Sequence, residues 1–203
     1  MDYQQMIQTL KGLDNNEAQI NFLFSYLLQN CEYDYLYLEI EKLKKLDVNT
    51  FADLYDEDLF EQALQKLKKE TAISNELEHY FKTHQWERRS YGELDLQFKD
   101  GIITKGVCKD YTNFILKVLT EIGIECKICA GKTPLNHIWL IITTYNNTLH
   151  YDITYAMYAR DKKSKNSTPK DWLGISTKRL LELQPNRIIT TPQNGDDGFI
   201  MNK

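Results

Sequence analysis

The chain has 203 residues, 42% hydrophobic and 27% charged, with nine Gly and four Pro. That balance suits one folded domain, or one domain with a helical extension, and excludes collagen-like, low-complexity and wholly disordered classes. A formal net charge of −4 gives no field that would attract a polyanion, which argues against nucleic acid as a partner. The N-terminus lacks the basic-then-apolar layout of a secretory signal, and no stretch approaches the ~18 apolar residues of a membrane span. The expectation is a soluble, cytoplasmic protein, or one delivered by a signal-independent route, with no membrane partner.

In chain order, residues 3–30 carry apolar side chains at helical spacing: Met6, Leu10 and Leu13, then Ile20, Leu23, Phe24, Leu27 and Leu28. Two helices follow from this, broken and capped around Asp14-Asn15-Asn16-Glu17. Helices are also expected over Leu36–Leu46, over Leu59–Lys69 with lysines on the outer face, and from Ser74, as cap, to about His84; Asp47–Phe51 reads as a turn. Residues 1–99 therefore form a helical lobe.

The texture changes near residue 100. Asp100-Gly101 marks a turn, a helix runs from Cys108 to Ile122, and Gly123 takes the position just past its end. Strands follow over Ile124–Ala130, Asn136–Tyr145 and Leu149–Thr154, the last two joined through Asn146-Asn147. A helix followed by an antiparallel meander makes residues 100–192 an α+β core. Residues 159–170 read as a polar, basic loop whose Lys162, Lys163 and Lys165 form a solvated run, Asp171–Leu183 as a last helix and Ile188–Thr190 as a short strand. Residues 193–203 read as a disordered tail.

Four cysteines, Cys31, Cys108, Cys126 and Cys129, are sparse for this length and favour reduced thiols. Cys126 and Cys129 form a C-x-x-C, but strand residues three apart face opposite sides and no second pair accompanies them, so two packed thiols are expected rather than a zinc half-site. No loop has calcium-ligand spacing, and no metal or cofactor is implied.

Cys108 differs from the other three. It follows Gly106 at the start of a helix, where free N–H groups and the macrodipole favour an anion, so the position suits a thiolate. Thiolate is the nucleophile of cysteine-dependent acyl transfer, and it needs an imidazole held by a third polar group. His137 and His150 both qualify as the imidazole, since His150 would share the strand face of Asp152. If the strands pair tightly across Asn146-Asn147, Ile141 faces Asp152 and His137 lies roughly 13 Å further along. Contact between His137 and Asp152 then needs a bulge, or a turn nearer Thr144-Tyr145.

These residues read Gly106-Val107-Cys108-Lys109-Asp110-Tyr111, Gly123-Ile124, His137-Ile138-Trp139 and Tyr151-Asp152-Ile153-Thr154. The series resembles the transglutaminase-like superfamily, papain-related and of bacterial type, whose core runs G-x-C-x-x-Y, a helix, G-I, a strand, H-x-W, a strand and D-x-T. Asn30-Cys31-Glu32-Tyr33-Asp34 is similar to the tyrosine-aspartate segment of bacterial members, after which this chain inserts about seventy residues. The resemblance implies a central helix on an antiparallel sheet, with Cys108 as nucleophile, His137 as general base and acid, and Asp152 as its orienter. It favours His137 over His150 and leaves Tyr91 and Gln97 as guesses for an oxyanion donor; on their own patterns Trp139 reads as a core residue and Thr154 as a strand residue.

The implied activity is acyl transfer from, or hydrolysis of, a protein or peptide amide. The alternative is an inactive transglutaminase-like binding module with an unreactive Cys108. Arylamine-type transfer from a thioester and cell-wall endopeptidase activity are disfavoured by the Gly-Val-Cys-Lys-Asp context.

Overall fold

The computed structural model describes residues 1–35, 60–70, 74–82, 105–133, 135–144, 147–161 and 166–190. The expected helix over Leu36–Leu46, the turns at Asp47–Phe51 and Asp100-Gly101, Tyr91, Gln97, the three loop lysines and the tail all lie outside the described residues. The chain divides into two compact units, Met1–Tyr33 with Gly92–Lys203, and Asp34–Tyr91. The described residues are mixed α+β, with seven helices and a five-stranded antiparallel sheet. Among them no helix is long and apolar enough to cross a membrane.

In the smaller unit, α3 (Phe60–Glu70) and α4 (Asn75–Lys82) bury Ala63, Leu64, Leu67 and Leu77. The Ser74 hydroxyl caps α4 by accepting from Leu77 N–H. Glu78 pairs with both Lys68 and Lys82.

The larger unit opens with α1 (Tyr3–Lys11) and α2 (Asn16–Asn30), capped by Asp2 and Asn15. After α2 the chain makes a short parallel pair, β1 (Glu32–Tyr33) with β2 (Lys105–Gly106). Then comes α5 (Cys108–Glu121). Gly123, at φ 83°, ends it: Gly123 N–H donates to the Thr120 carbonyl and Ile124 N–H to that of Leu119, which satisfies two orphan carbonyls. A Cβ at Gly123 would meet nothing within 4 Å, so Gly123→Ala is expected to cost only the left-handed backbone strain, about 1 kcal/mol by urea denaturation.

The meander is β3 (Cys126–Thr133), β4 (Leu135–Thr144) and β5 (Asn147–Tyr151). It is followed by α6 (Ile153–Arg160), a 3₁₀ turn (Pro169–Trp172), β6 (Leu173–Ile175), α7 (Thr177–Leu183) and β7 (Ile188–Thr190), and the sheet order is β6-β5-β4-β3-β7. Period-two alternation sorts its side chains. Cys126, Ile128, Leu140 and Ile142 pack with α1, α2 and α5 on one face. Cys129, Trp139 and Ile141 pack with Ala156, Trp172 and Leu180 on the other.

Three expectations are corrected. The third strand stops at Tyr151, because Asp152 caps a helix whose Ile153, Ala156, Met157 and Ala159 are buried; that burial outweighs the β-propensity of Ile-Thr-Tyr. Thr154 is therefore helical, and Ala159 and Arg160 belong to α6, not to a loop. Arg160 donates to the Leu28 and Cys31 carbonyls at the end of α2. The last helix fills only Thr177–Leu183 of the stretch Asp171–Leu183: Gly174, at φ 68°, breaks the run beside a bulge opposite His150 and Tyr151, and Ser176 caps α7.

Candidate active site

Cys108 is held by its neighbours on both sides. Tyr33 pairs with Gly106, and the Tyr111 hydroxyl, wholly buried, donates to the Glu32 carbonyl at 2.5 Å. That contact fixes the cysteine loop to the end of α2. Val107 has no side-chain acceptor, so the helix cap is one-sided: the Asp110 carboxylate accepts from Val107 N–H at 2.8 Å. Cys108 is the first residue of the helix, and its N–H is among those with no acceptor inside the helix.

The Thr112 hydroxyl leans toward the Ile138 carbonyl at 3.4 Å, setting α5 against β4 beside His137. The β4–β5 register places Ile141 opposite His150 rather than Asp152, a slip of two residues from the expected pairing. A slip of two keeps every side chain on its face. His137 thus stays on the side of Asp152 and two residues closer to it along the strand. Asp152 then leaves the ladder, with its N–H on the Trp172 carbonyl, and its side chain covers the remaining distance. His137 Nε2 lies 2.8 Å from Asp152 Oδ2.

Four donors surround the Asp152 carboxylate, which is 1% exposed. Oδ1 accepts from the Thr154 hydroxyl at 3.0 Å and from Tyr155 N–H at 3.2 Å. Oδ2 accepts from His137 and, at 2.6 Å, from Arg187 Nη2. Arg187 comes from the segment just before β7, and no sequence pattern marks it: it is a single basic residue after Gln184-Pro185-Asn186. Only the sheet order, which seats β7 against β3, brings it in. Gly131 makes that seating possible, since it faces His137 across the β3–β4 ladder and a Cβ there would stand 2.1 Å from the Ile188 carbonyl oxygen.

His137 stacks on Trp139 with centroids 5.7 Å apart and meets the edge of Tyr155 at 5.2 Å. Trp139 is buried, and its indole N–H, which can only donate, points to His150 Nδ1 at 2.9 Å. His150 Nε2 therefore carries the proton and donates to the Thr177 hydroxyl at 2.8 Å. Both nitrogens of His150 are engaged. Burial, with help from Arg187, lowers its pKa, so it is neutral.

Burial works against charge on His137, yet Asp152, by proximity and hydrogen bond, and Cys108, by hydrogen bond and charge, raise its pKa to about 9. With Nε2 turned to Asp152, Nδ1 is the nitrogen left for the thiol. Burial also opposes ionisation of Asp152, but His137 and Arg187 together hold its pKa well below the usual carboxylate range. Cys126 and Cys129 lie on opposite sheet faces, and burial pushes both thiols up to about 11. Chemically, the arrangement is a thiol at a helix start, an imidazole that stays protonated at neutral pH, and a carboxylate fixed as an anion. No family model, no curated protein and no solved structure matches this chain.

Proposed function

We propose that the chain is a transglutaminase-like cysteine enzyme, with a papain-related core, that cleaves or transfers the acyl group of a protein or peptide amide. The observation that carries this is the His137 imidazole, bonded through one nitrogen to Asp152 and interacting with Cys108. In the reaction, the Cys108 thiolate attacks the amide carbonyl and forms the C–S bond, and the carbonyl electrons move to oxygen. The N–H of Cys108, with no acceptor inside its helix, can donate to that oxyanion. As the C–N bond breaks, protonated His137 gives its proton to the departing ammonia or amine, leaving an acyl-enzyme and a neutral imidazole. Neutral His137 then takes a proton from the incoming water or amine as it attacks the thioester, and the thiolate leaves. Water gives hydrolysis; an amine gives transamidation.

The test is iodoacetamide labelling across pH, resolved by peptide mass spectrometry, in the wild type and in His137→Ala. Cys108 is expected to label fastest near pH 6 and to lose that advantage in His137→Ala, while Cys126 and Cys129 stay slow because burial disfavours their thiolates. A Cys108 that labels no faster than the other three sinks the enzyme reading. A glutamine-amide screen, scored for ammonia release and for amine incorporation, then separates the two acceptors.

A further inference from the structure

We propose that Arg187 is a positioning residue of this site, a fixed positive charge clasped by aromatic rings that keeps the Asp152 carboxylate ionised and aimed at His137. Its catalytic consequence rests on the cysteine-enzyme reading above; the charge relation does not.

Asp152, His137 and Arg187 are all buried. A carboxylate out of water needs a counter-charge, and His137 is an intermittent one, because it gives up its proton when the leaving group departs. At that moment Asp152 would be a lone buried anion, relieved most easily by taking a proton itself. Arg187 does not lose its proton, so its charge stays through the whole cycle. Its Nη2 contacts the same Oδ2 that His137 uses, and Thr154 with Tyr155 N–H holds the other oxygen. The carboxylate cannot rotate without breaking several of these bonds.

Packing does not account for a guanidinium in this place. The side chain is 0% exposed, and among the described residues Nε and Nη1 have no hydrogen-bond partner. The charge rests instead on ring faces, with the guanidinium carbon 4.3 Å from the Trp139 ring centroid and 5.0 Å from that of Tyr155. An apolar side chain of similar volume would fill the slot with no unmet donors. What only arginine adds is one charge-assisted bond, delivered to Asp152.

Other titratable groups lie around the same centre: Cys108 of α5 beside His137, Tyr33 of β1, Tyr155 of α6, Cys129 of β3 and His150 of β5. Burial drives Tyr33 and Cys129 upward, away from the acid range. His150 is the group that has to be told apart from Asp152 there.

The experiment follows the ring signals of His137 by NMR in the full chain, assigned with His137→Gln, from about pH 8 down to about pH 4. In the wild type these signals should stay flat over the acid half, since Asp152 remains ionised. In Arg187→Met, removal of the positive charge makes protonation of Asp152 easier, so a step that the wild type lacks should enter that range. Adding Asp152→Asn should abolish the step, assigning it to the carboxylate and not to His150. Arg187→Gln keeps a donor without the charge and should show the step; Arg187→Lys keeps the charge and should suppress most of it.

A flat profile in both Arg187→Met and Arg187→Gln overturns the proposal, as does a step that survives Asp152→Asn. If Arg187→Met fails to fold, the Gln and Lys variants decide it. If wild-type Cys108 does not label fast at all, the enzyme reading falls while the ring titration still decides the role of Arg187.

Discussion

Asp152→Ala is expected to lower the unfolding free energy by about 3–5 kcal/mol, far more than one lost hydrogen bond would. The reason lies with what stays behind. Arg187 would keep its charge in a fully buried slot where Nη2 had its acceptor and where Nε and Nη1 already have none among the described residues. Helix α6 also loses its N-cap, since Asp152 Oδ1 accepts from Tyr155 N–H, a further contribution of about 1 kcal/mol within that range. Combining Asp152→Ala with Arg187→Met removes both charges, and the double variant should recover a large part of the loss. Guanidinium denaturation of the two single variants and the double gives the coupling directly. A loss under about 1 kcal/mol in Asp152→Ala would mean that the pair does not hold the site together.

Stability should also fall on the alkaline side, earlier than burial of apolar surface alone would allow. His137 has its folded pKa raised from 6.5 to about 9. A raised pKa means the folded state binds the proton more tightly, so the stabilisation is complete below about pH 6.5 and is lost as pH rises through about 9. A shift of that size corresponds to roughly 3 kcal/mol. Asp152 acts in the opposite sense: its pKa is depressed, so its contribution is present above the ordinary carboxylate range near 4 and declines as pH falls below it. The expected plateau lies between about pH 4.5 and 6.5. Urea denaturation at pH 6 and pH 9 should show the alkaline loss, and His137→Gln should flatten it. An equal loss in both proteins would assign the slope elsewhere.

Local signals carried much of the larger unit. The start of α5 and its stop at Gly123 depend on residues within one turn, so Cys108 could be read as a helix-start thiol from sequence. The common face of His137 and Asp152 was legible too, because the true register differs from the expected one by an even number of residues, which leaves each side chain on its face. Their contact was not legible, since it required the β4–β5 slip and the departure of Asp152 from its strand. Thr154 went wrong with it: Ile-Thr-Tyr reads as strand, and only the burial of Ala156, Met157 and Ala159 makes it helix. The two histidines could not be ranked by pattern alone. What distinguishes them is that Trp139 and Thr177 occupy both nitrogens of His150. Arg187 is the extreme case, 35 positions from the carboxylate it contacts and without any local mark of burial.

The sheet order also sets a sequence of events in time. Strands β3, β4 and β5 are joined by one and two residues, so their hairpins close over short loops and can form in microseconds. Strand β7 returns to β3 from far along the chain: Thr190 bonds the carbonyl of Ala130, 60 residues earlier. Closing so long a loop is slow and gains nothing until the far strand docks against the bare edge at Gly131. The meander therefore forms first, with Asp152 still lacking the guanidinium. Contacts that form after the rate-limiting barrier govern how fast a protein unfolds rather than how fast it folds. The bond between Arg187 and Asp152 belongs to that late class, so it acts as a latch on the lifetime of the assembled site.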